Sequence, residues 1–236
     1  GHFQETFGKG LILSGEGGLA SIADKNIDFL PFYSFDHPVD QKKYPGGHSF
    51  KDLMAYLTSD EFKNSDYKWV AIDSFTELSR RAFTEATLEN DNPKDGFKKY
   101  DLYTQKIDPM INDLRDLPIH VVCTALATES KDENGMTNFW PMLHQKSKVE
   151  AFCGTFDVVA ALINKSETVK NSEGKTKMKM HRYTLTGNVS GWHGKTRDCH
   201  GRIRVAEEGT NVASLVKRLV MNKDEFENTK KQGIAA

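Results

Sequence analysis

The clearest pattern in the chain is a set of short apolar runs, each ending in a polar residue. Trp69, Val70, Ala71 and Ile72 form one run, closed by Asp73 and Ser74 in KWVAIDSFTEL. Leu11–Leu13, inside GLILSGEGG, form a second that ends in a glycine-rich turn with Glu16. Ile119–Cys123 form a third, ending in Thr124, and Val158–Leu162, inside FDVVAALI, form a fourth. Short, nearly continuous apolar runs suit strands covered on both faces. Parallel strands need crossovers of about a dozen residues or more, and the intervening segments are long enough to supply them. The pattern predicts an α/β fold with a mostly parallel central sheet flanked by helices. Glu16, Asp73 and Thr124 would then lie along one edge of that sheet.

The segments between the runs read mainly as helices and turns. Ser74 to about Leu88 is helix-like. Phe50–Phe62 has helical spacing through Phe50, Leu53, Met54, Leu57 and Phe62. Tyr100–Leu117 places Leu102, Ile107, Ile111 and Leu114 on one side and is stopped by Pro118. Leu19–Asp24 and Val212–Val220 are shorter candidates. Phe29–Phe35 reads as a strand, placed at an edge because Pro31 cannot donate to a ladder. Residues 36–48, 89–96 and 125–148 read as loops. Asn171-Ser172-Glu173-Gly174 signals a turn, which predicts an antiparallel hairpin extension over Ser166–Thr186. The expected organisation is one core over residues 1–220 and a charged, frayed tail over 221–236.

Composition narrows the classes. With 236 residues and 38% hydrophobic content, the chain can bury one large core. A net charge of −1 gives no global attraction to a polyanion, so any nucleic-acid contact needs a local patch. The three cysteines, Cys123, Cys153 and Cys199, show no paired metal spacing and read as reduced thiols. Cys199 stands beside His200, but no third group nearby would orient a nucleophilic pair. His181, His193 and His200 fit no zinc pattern. The sequence contains neither a long apolar run nor a signal-peptide pattern, so a cytoplasmic protein without membrane spans is expected.

Three places carry candidate chemistry. An Asp at the carboxyl end of a parallel strand sits where open α/β sheets bind ligands, and such a carboxylate commonly holds a hydrated Mg²⁺. Asp73 with Ser74 suits that role; capping of the following helix is the competing role for Asp73. The loop at 125–148 contains Lys131, His144, Lys146 and Lys148 with Phe139 and Trp140. These combine phosphate-neutralising groups with faces for stacking unpaired bases. Glu129, Asp132 and Glu133 offset that charge, and a solvated loop whose aromatics pack on the core is the competing reading. The third place is His193-Gly194-Lys195-Thr196-Arg197, where Lys195 and Arg197 alternate and would share one face of an extended segment.

The ordered set LILSGEGGLASI, KWVAIDSFTEL and HVVCTALATESKDENGMTNFWPMLHQKSKVEAFCGTFDVVAAL resembles the phage-encoded RecA-like nucleotide-binding proteins of the Sak type, over about Leu11 to Arg204. These are single-strand annealing and recombination ATPases. The resemblance implies a RecA-like P-loop NTPase core that uses ATP and Mg²⁺, works as a homo-oligomeric ring or filament, binds single-stranded DNA, and acts in the cytoplasm of a bacterial host. Glu16 would match the glutamate that positions the attacking water. Asp73 would match the metal-holding Asp, with Ser74 and Thr124 completing the nucleotide site. The loop with Lys131, Phe139, Trp140, Lys146 and Lys148 falls where the RecA loop meets DNA. Lys195 and Arg197 resemble the basic pair that reaches a neighbouring subunit's γ-phosphate.

One departure stands out: no stretch reads G-x-x-x-x-G-K-[ST], the loop whose backbone N–H groups and Lys cradle the phosphates. In the family it precedes the GLILSGEGG-type strand by one helix, so the first strand and loop are expected to be missing from these 236 residues. Two other functions fit the same residues: a non-catalytic RecA-like structural or interaction module, and a helicase-loader-like motor ATPase.

Overall fold

A computed structural model describes residues 2–92, 94–170 and 176–231. In chain order the elements are α1 (His2–Phe7), β1 (Gly10–Ser14), a 3-10 turn (Leu19–Lys25), β2 (Asp28–Ser34), β3 (His48–Ser49), α2 (Phe50–Thr58) and α3 (Asp60–Lys63). Next come β4 (Trp69–Asp73), α4 (Phe75–Leu88), α5 (Lys98–Arg115), β5 (His120–Cys123), β6 (Ala127–Lys131), β7 (Thr137–Pro141) and α6 (Val149–Thr155). The chain ends with β8 (Val158–Val159), β9 (Ala161–Lys170), β10 (Thr176–Leu185), β11 (Lys195–Thr196), β12 (Ala206–Glu208), α7 (Val212–Val220) and α8 (Lys223–Lys231). Two compact units result: residues 3–128 with 141–155, and residues 129–140 with the chain from 156 onward.

The first unit is built on a five-stranded sheet of order β3-β2-β1-β4-β5, with every neighbouring pair parallel. The mixed α/β class with a parallel sheet flanked by helices is as the sequence predicts. All of β1 is buried, and Leu13, Val70 and Ile72 have no exposed surface. Burial of each such side chain is worth about 1.5–3 kcal/mol. Gly10 is required by this packing, since a Cβ there would stand 1.9 Å from the Trp69 ring. That indole in turn donates to the Gly8 carbonyl at 2.9 Å.

Several expectations are corrected. Val158–Leu162 is not a fourth strand of the parallel sheet: β8 pairs antiparallel with β11, and β9 begins a separate antiparallel sheet. Its exposure alternates along β9, with Leu162 61% exposed, so the run is covered on one side at most. The remaining places in the parallel sheet are taken by β2 and the two-residue β3. Strand β2 is therefore not outermost, although β3 pairs only with Phe32 and Ser34 and leaves Pro31 outside that ladder. The Phe50–Phe62 helix breaks in two because the Ser59 hydroxyl caps a new turn, accepting from Phe62 N at 3.2 Å. Residues 125–148 are not a loop throughout; they fold as the β6–β7 hairpin and a 3-10 turn at Lys146–Lys148. Beyond Val220 the chain forms α8, whose Phe226 is buried.

Helix α4 covers the sheet with Phe75, Leu78, Ser79, Ala82, Glu85 and Ala86, a single helical face. Ser79 bonds the Tyr103 hydroxyl of α5 at 2.6 Å, and burial pushes that phenol up to about 12. Glu85, only 5% exposed, accepts backbone N–H groups of Phe35, Asp36 and His37 at 2.6, 2.8 and 3.3 Å. The carboxylate thus satisfies the chain as it leaves β2. Beside it, Lys106 binds Asp36 at 2.8 Å and Glu89 at 2.9 Å. Partial burial works to raise the Glu89 pKa, but hydrogen bonds from Lys106 and His37 outweigh it and hold the carboxyl below its ordinary 4.5.

In the second unit β9 and β10 form a long hairpin extended by β12, in the order β12-β10-β9. The strands span Ala161–Leu185, longer than the predicted Ser166–Thr186 hairpin at its start; the Asn171–Gly174 turn signal lies outside the described residues. Glu207 is buried against Arg218 of α7 and accepts from Arg204 N at 3.0 Å.

Glu85→Gln keeps the shape but weakens the acceptor of three backbone donors, and should lower unfolding free energy by about 2–3 kcal/mol in a urea titration. The depressed Glu89 carboxyl contributes stability that is complete above pH 4.5 and is lost as pH falls through its folded value. Glu89→Gln should accordingly remove part of the acid-side loss of stability, read as a shallower slope of unfolding free energy against pH below 4.5.

Candidate functional site

Strand register sets the site. Ser14 of β1 lies opposite Asp73 of β4, and Ile72 opposite Cys123 of β5, so the three strands end side by side. Gly15 N donates to the Asp73 carbonyl at 2.7 Å, and Thr124 N to the Ile72 carbonyl at 3.1 Å, carrying the pairing one step past the strands. The residues at the exits are therefore fixed by backbone bonds before any side chain contributes.

Glu16, Asp73, Ser74 and Thr124 meet there, as the sequence predicts for a strand-end site. The Ser74 hydroxyl donates to the Glu16 carboxylate and accepts from Glu77 N at 3.2 Å. Asp73 Oδ1 accepts from the Thr124 hydroxyl at 2.6 Å. Phe75 N donates to the Thr124 carbonyl at 2.7 Å, which pins the first turn of α4 to the end of β5. The competing roles for Asp73 are thereby separated: Ser74, and not Asp73, is the N-cap of α4. Asp73 Oδ2 accepts no hydrogen bond from the described residues, so that oxygen is open to a ligand.

Two supporting residues escaped the sequence reading. Gly15 packs under Phe32, where a Cβ would come within 2.5 Å of the ring. Arg81 of α4 spans the gap between strands. Its guanidinium donates to the Gly15 carbonyl at 3.1 Å and to the Tyr33 carbonyl, and pairs with Glu77 at 2.7 Å. This clamp holds the turn that presents Glu16. The spacing Ser74-x-x-Glu77 is a capping-box signature that would have placed the helix start. Here Glu77 turns instead to Arg80 and Arg81.

The donor set consists of two carboxylates and two hydroxyls, hard oxygen ligands of the kind Mg²⁺ takes. It fits a divalent cation; it does not by itself fit a triphosphate. Arg81, the cation nearest these groups, is spent on Glu77 and two carbonyls. No residue of G-x-x-x-x-G-K-[ST] type is present to supply phosphate-binding N–H groups.

The remaining predicted residues belong to other elements. Lys195 and Arg197 flank Thr196 on and beyond β11, in the second unit. Lys195 Nζ donates to the Phe156 carbonyl at 3.0 Å, and Arg197 pairs with Asp157 at 3.1 Å. Phe139 stacks on Trp192 at 4.4 Å and Trp140 on His193 at 4.0 Å between ring centres, so each aromatic already has one face covered. Lys131 is exposed on β6, Lys146 is exposed in the 3-10 turn, and Lys148 pairs with Asp108 at 2.7 Å.

A second cluster, His37, Glu85 and Glu89, offers three ligand atoms within 4.8 Å of one another. It already holds a cation, the Lys106 ammonium. An open cleft of about 660 Å³ lies at the opposite, amino end of the strands, lined by Phe7, Leu57, Tyr67, Leu117 and His120 among others. Burial holds the His120 ring below its ordinary pKa. Among the described residues no helix is long and apolar enough to cross a membrane.

Asp73→Asn keeps an acceptor for Thr124 but removes the charge, and should weaken Mg²⁺ or Mn²⁺ binding by more than roughly tenfold in calorimetric titration, with little change in stability. Ser74→Ala removes the cap and the partner of Glu16 together, and should cost about 1 kcal/mol in urea unfolding.

No curated protein and no solved structure gives a significant match to the chain. The profile of the AAA domain family matches residues 2–198, most of the length. The parallel sheet and the acids at its strand ends agree with that match, and the chain belongs to the AAA domain family of nucleotide-binding ATPases.

Proposed function

We propose that this protein is an ATP-dependent DNA recombination or single-strand annealing protein of the Sak type, binding single-stranded DNA as a homo-oligomer in a bacterial host's cytoplasm. The observation that carries the reading is the meeting of Glu16, Asp73, Ser74 and Thr124 at the carboxyl ends of three adjacent parallel strands in an AAA domain. Asp73, through water, and Ser74 would hold Mg²⁺, which supplies charge neutralisation at the transferring phosphoryl group. Glu16 would orient the attacking water, with Ser74 fixing its carboxylate and the Arg81 clamp fixing its backbone. Thr124 holds the Asp73 carboxylate in place from the β5 side.

Phosphoryl transfer also requires donors for the phosphates. We assign these to Lys195 and Arg197 reaching a neighbouring subunit. Those two side chains would exchange their bonds to Phe156 and Asp157 for phosphate oxygens. That Arg81 is engaged by Glu77 and two carbonyls favours one second reading, a non-catalytic module that keeps the fold for assembly.

Steady-state hydrolysis by the full-length protein separates the two. Glu16→Gln should lower kcat by roughly 10²–10⁴-fold while leaving ATP binding nearly intact. An unaltered protein that binds ATP with Mg²⁺ and never hydrolyses it establishes the module instead. Arg197→Ala or Lys195→Ala should each abolish hydrolysis, and mixing either with Asp73→Ala protein should restore part of it, since each supplies the half the other lacks. Co-assembled mixtures as inactive as their parents would remove the role in trans. The nucleic-acid part is checked by affinity for single-stranded over duplex oligonucleotide, falling with salt.

A further inference from the structure

A marked concentration of positive charge sits on the β9–β10 hairpin. Its two strands read ALINKSETVK and TKMKMHRYTL, with five Lys or Arg and one Glu. The whole chain carries −1. Lys165, Lys170, Lys177, Lys179 and Arg182 are all exposed.

Register sorts these residues by face. Lys177 opposes Val169, Lys179 opposes Glu167, and His181 opposes Lys165. Alternate residues of a strand share a face, so Lys165, Lys177 and Lys179 stand together, with Glu167, His181 and Tyr183 among them. The two acids on this face are partly engaged: His181 lies 3.5 Å from Glu167 and also bonds Glu208 of β12, which stands opposite Tyr183. The Lys165 ammonium sits 5.6 Å from the centre of the Tyr183 ring. Lys177 and Lys179 are about 7 Å apart along the strand, a repeat suited to successive phosphates of an extended polynucleotide. The reverse face presents Met178 and Met180, 67% and 61% exposed, opposite Thr168 and Ser166. Lys170 and Arg182 also lie on that face, at opposite ends of the ladder, whereas the lysine face sets two ammonium groups at alternate positions of one strand.

We propose that the lysine face of the β9–β10 hairpin, through Lys165, Lys177 and Lys179, is a contact surface for the phosphate backbone of single-stranded DNA. This rests on the single-stranded DNA part of the function proposed above and adds a contact surface to the residues of the 125–148 segment. Ammonium groups on a stiff two-stranded arm neutralise phosphates without reading bases, so the contact is sequence-independent and salt-sensitive.

The test is fluorescence anisotropy of a labelled oligo-dT with the full-length protein, titrated from about 50 to 200 mM salt. Each phosphate neutralised on a single strand, with release of its counterions, contributes about 0.7 to the slope of log K against log salt. The triple change Lys165→Gln, Lys177→Gln, Lys179→Gln should therefore lower that slope by about 2 and weaken binding at least roughly tenfold at the low-salt end. The corresponding triple Arg variant keeps the charge and should keep the slope. A control triple, Lys42→Gln, Lys63→Gln and Lys223→Gln, removes equal charge elsewhere and should leave it nearly unchanged. Thermal unfolding of each variant checks that the fold is retained. An unaltered slope in the folded hairpin Gln variant overturns this inference and leaves the proposed function standing. An equal loss in the control triple overturns it also, by reducing the effect to net charge. Failure of the unaltered protein to bind the oligonucleotide overturns both.

Discussion

The candidate site depends on one constraint, the register of β4 between β1 and β5. Ser14 faces Asp73 and Cys123 faces Ile72, so three chain exits arrive at the same height. A one-residue slip of β4 would reverse every side chain along it and take Asp73 away from Thr124. Register is held by burial: Leu13, Val70 and Ile72 have no exposed surface, and the Trp69 ring fits only over Gly10. Packing and chemistry are thus the same alignment seen at two ends of the strands.

Polar groups buried around that alignment each have a structural task. Ser74 serves the helix by accepting from Glu77 and serves the site by donating to Glu16. Arg81 links the turn after β1 to the end of β2, joining two strand exits through one side chain. Glu85 does the corresponding work one turn and more further along α4, for the chain leaving β2. A single helix therefore carries the cap, the clamp and the acceptor that order the sheet's carboxyl edge. Loss of Glu85 leaves the buried Phe35 N–H unpaired, which costs more than the hydrogen bond itself is worth.

Much of this was legible in the sequence because the apolar runs around Leu13 and Ile72 are buried, that around Val122 is half-buried, and all three end in polar residues. Glu16, Asp73, Ser74 and Thr124 followed from strand ends alone. Val158–Leu162 misled for a physical reason: a short apolar run looks the same in a buried parallel strand and at the root of a half-exposed hairpin. The hairpin's length depends on cross-strand pairing, which no local signal encodes. Phe139 and Trp140 read as free stacking faces because the sequence does not say that Trp192 and His193 fold back against them. Arg81 and Glu85 were invisible for the same cause: their partners are backbone groups far away in the chain.

The central claim is that the carboxyl ends of β1, β4 and β5 form a divalent-metal site for a nucleotide. The most direct measurement is anomalous diffraction from crystals of the full-length protein grown with Mn²⁺ and a non-hydrolysable ATP analogue. The account predicts an anomalous peak beside Asp73, with Ser74 or Thr124 among its neighbours and the analogue's phosphates on its far side. A nucleotide bound with no peak at Asp73, or with the metal at His37, Glu85 and Glu89 instead, would contradict it.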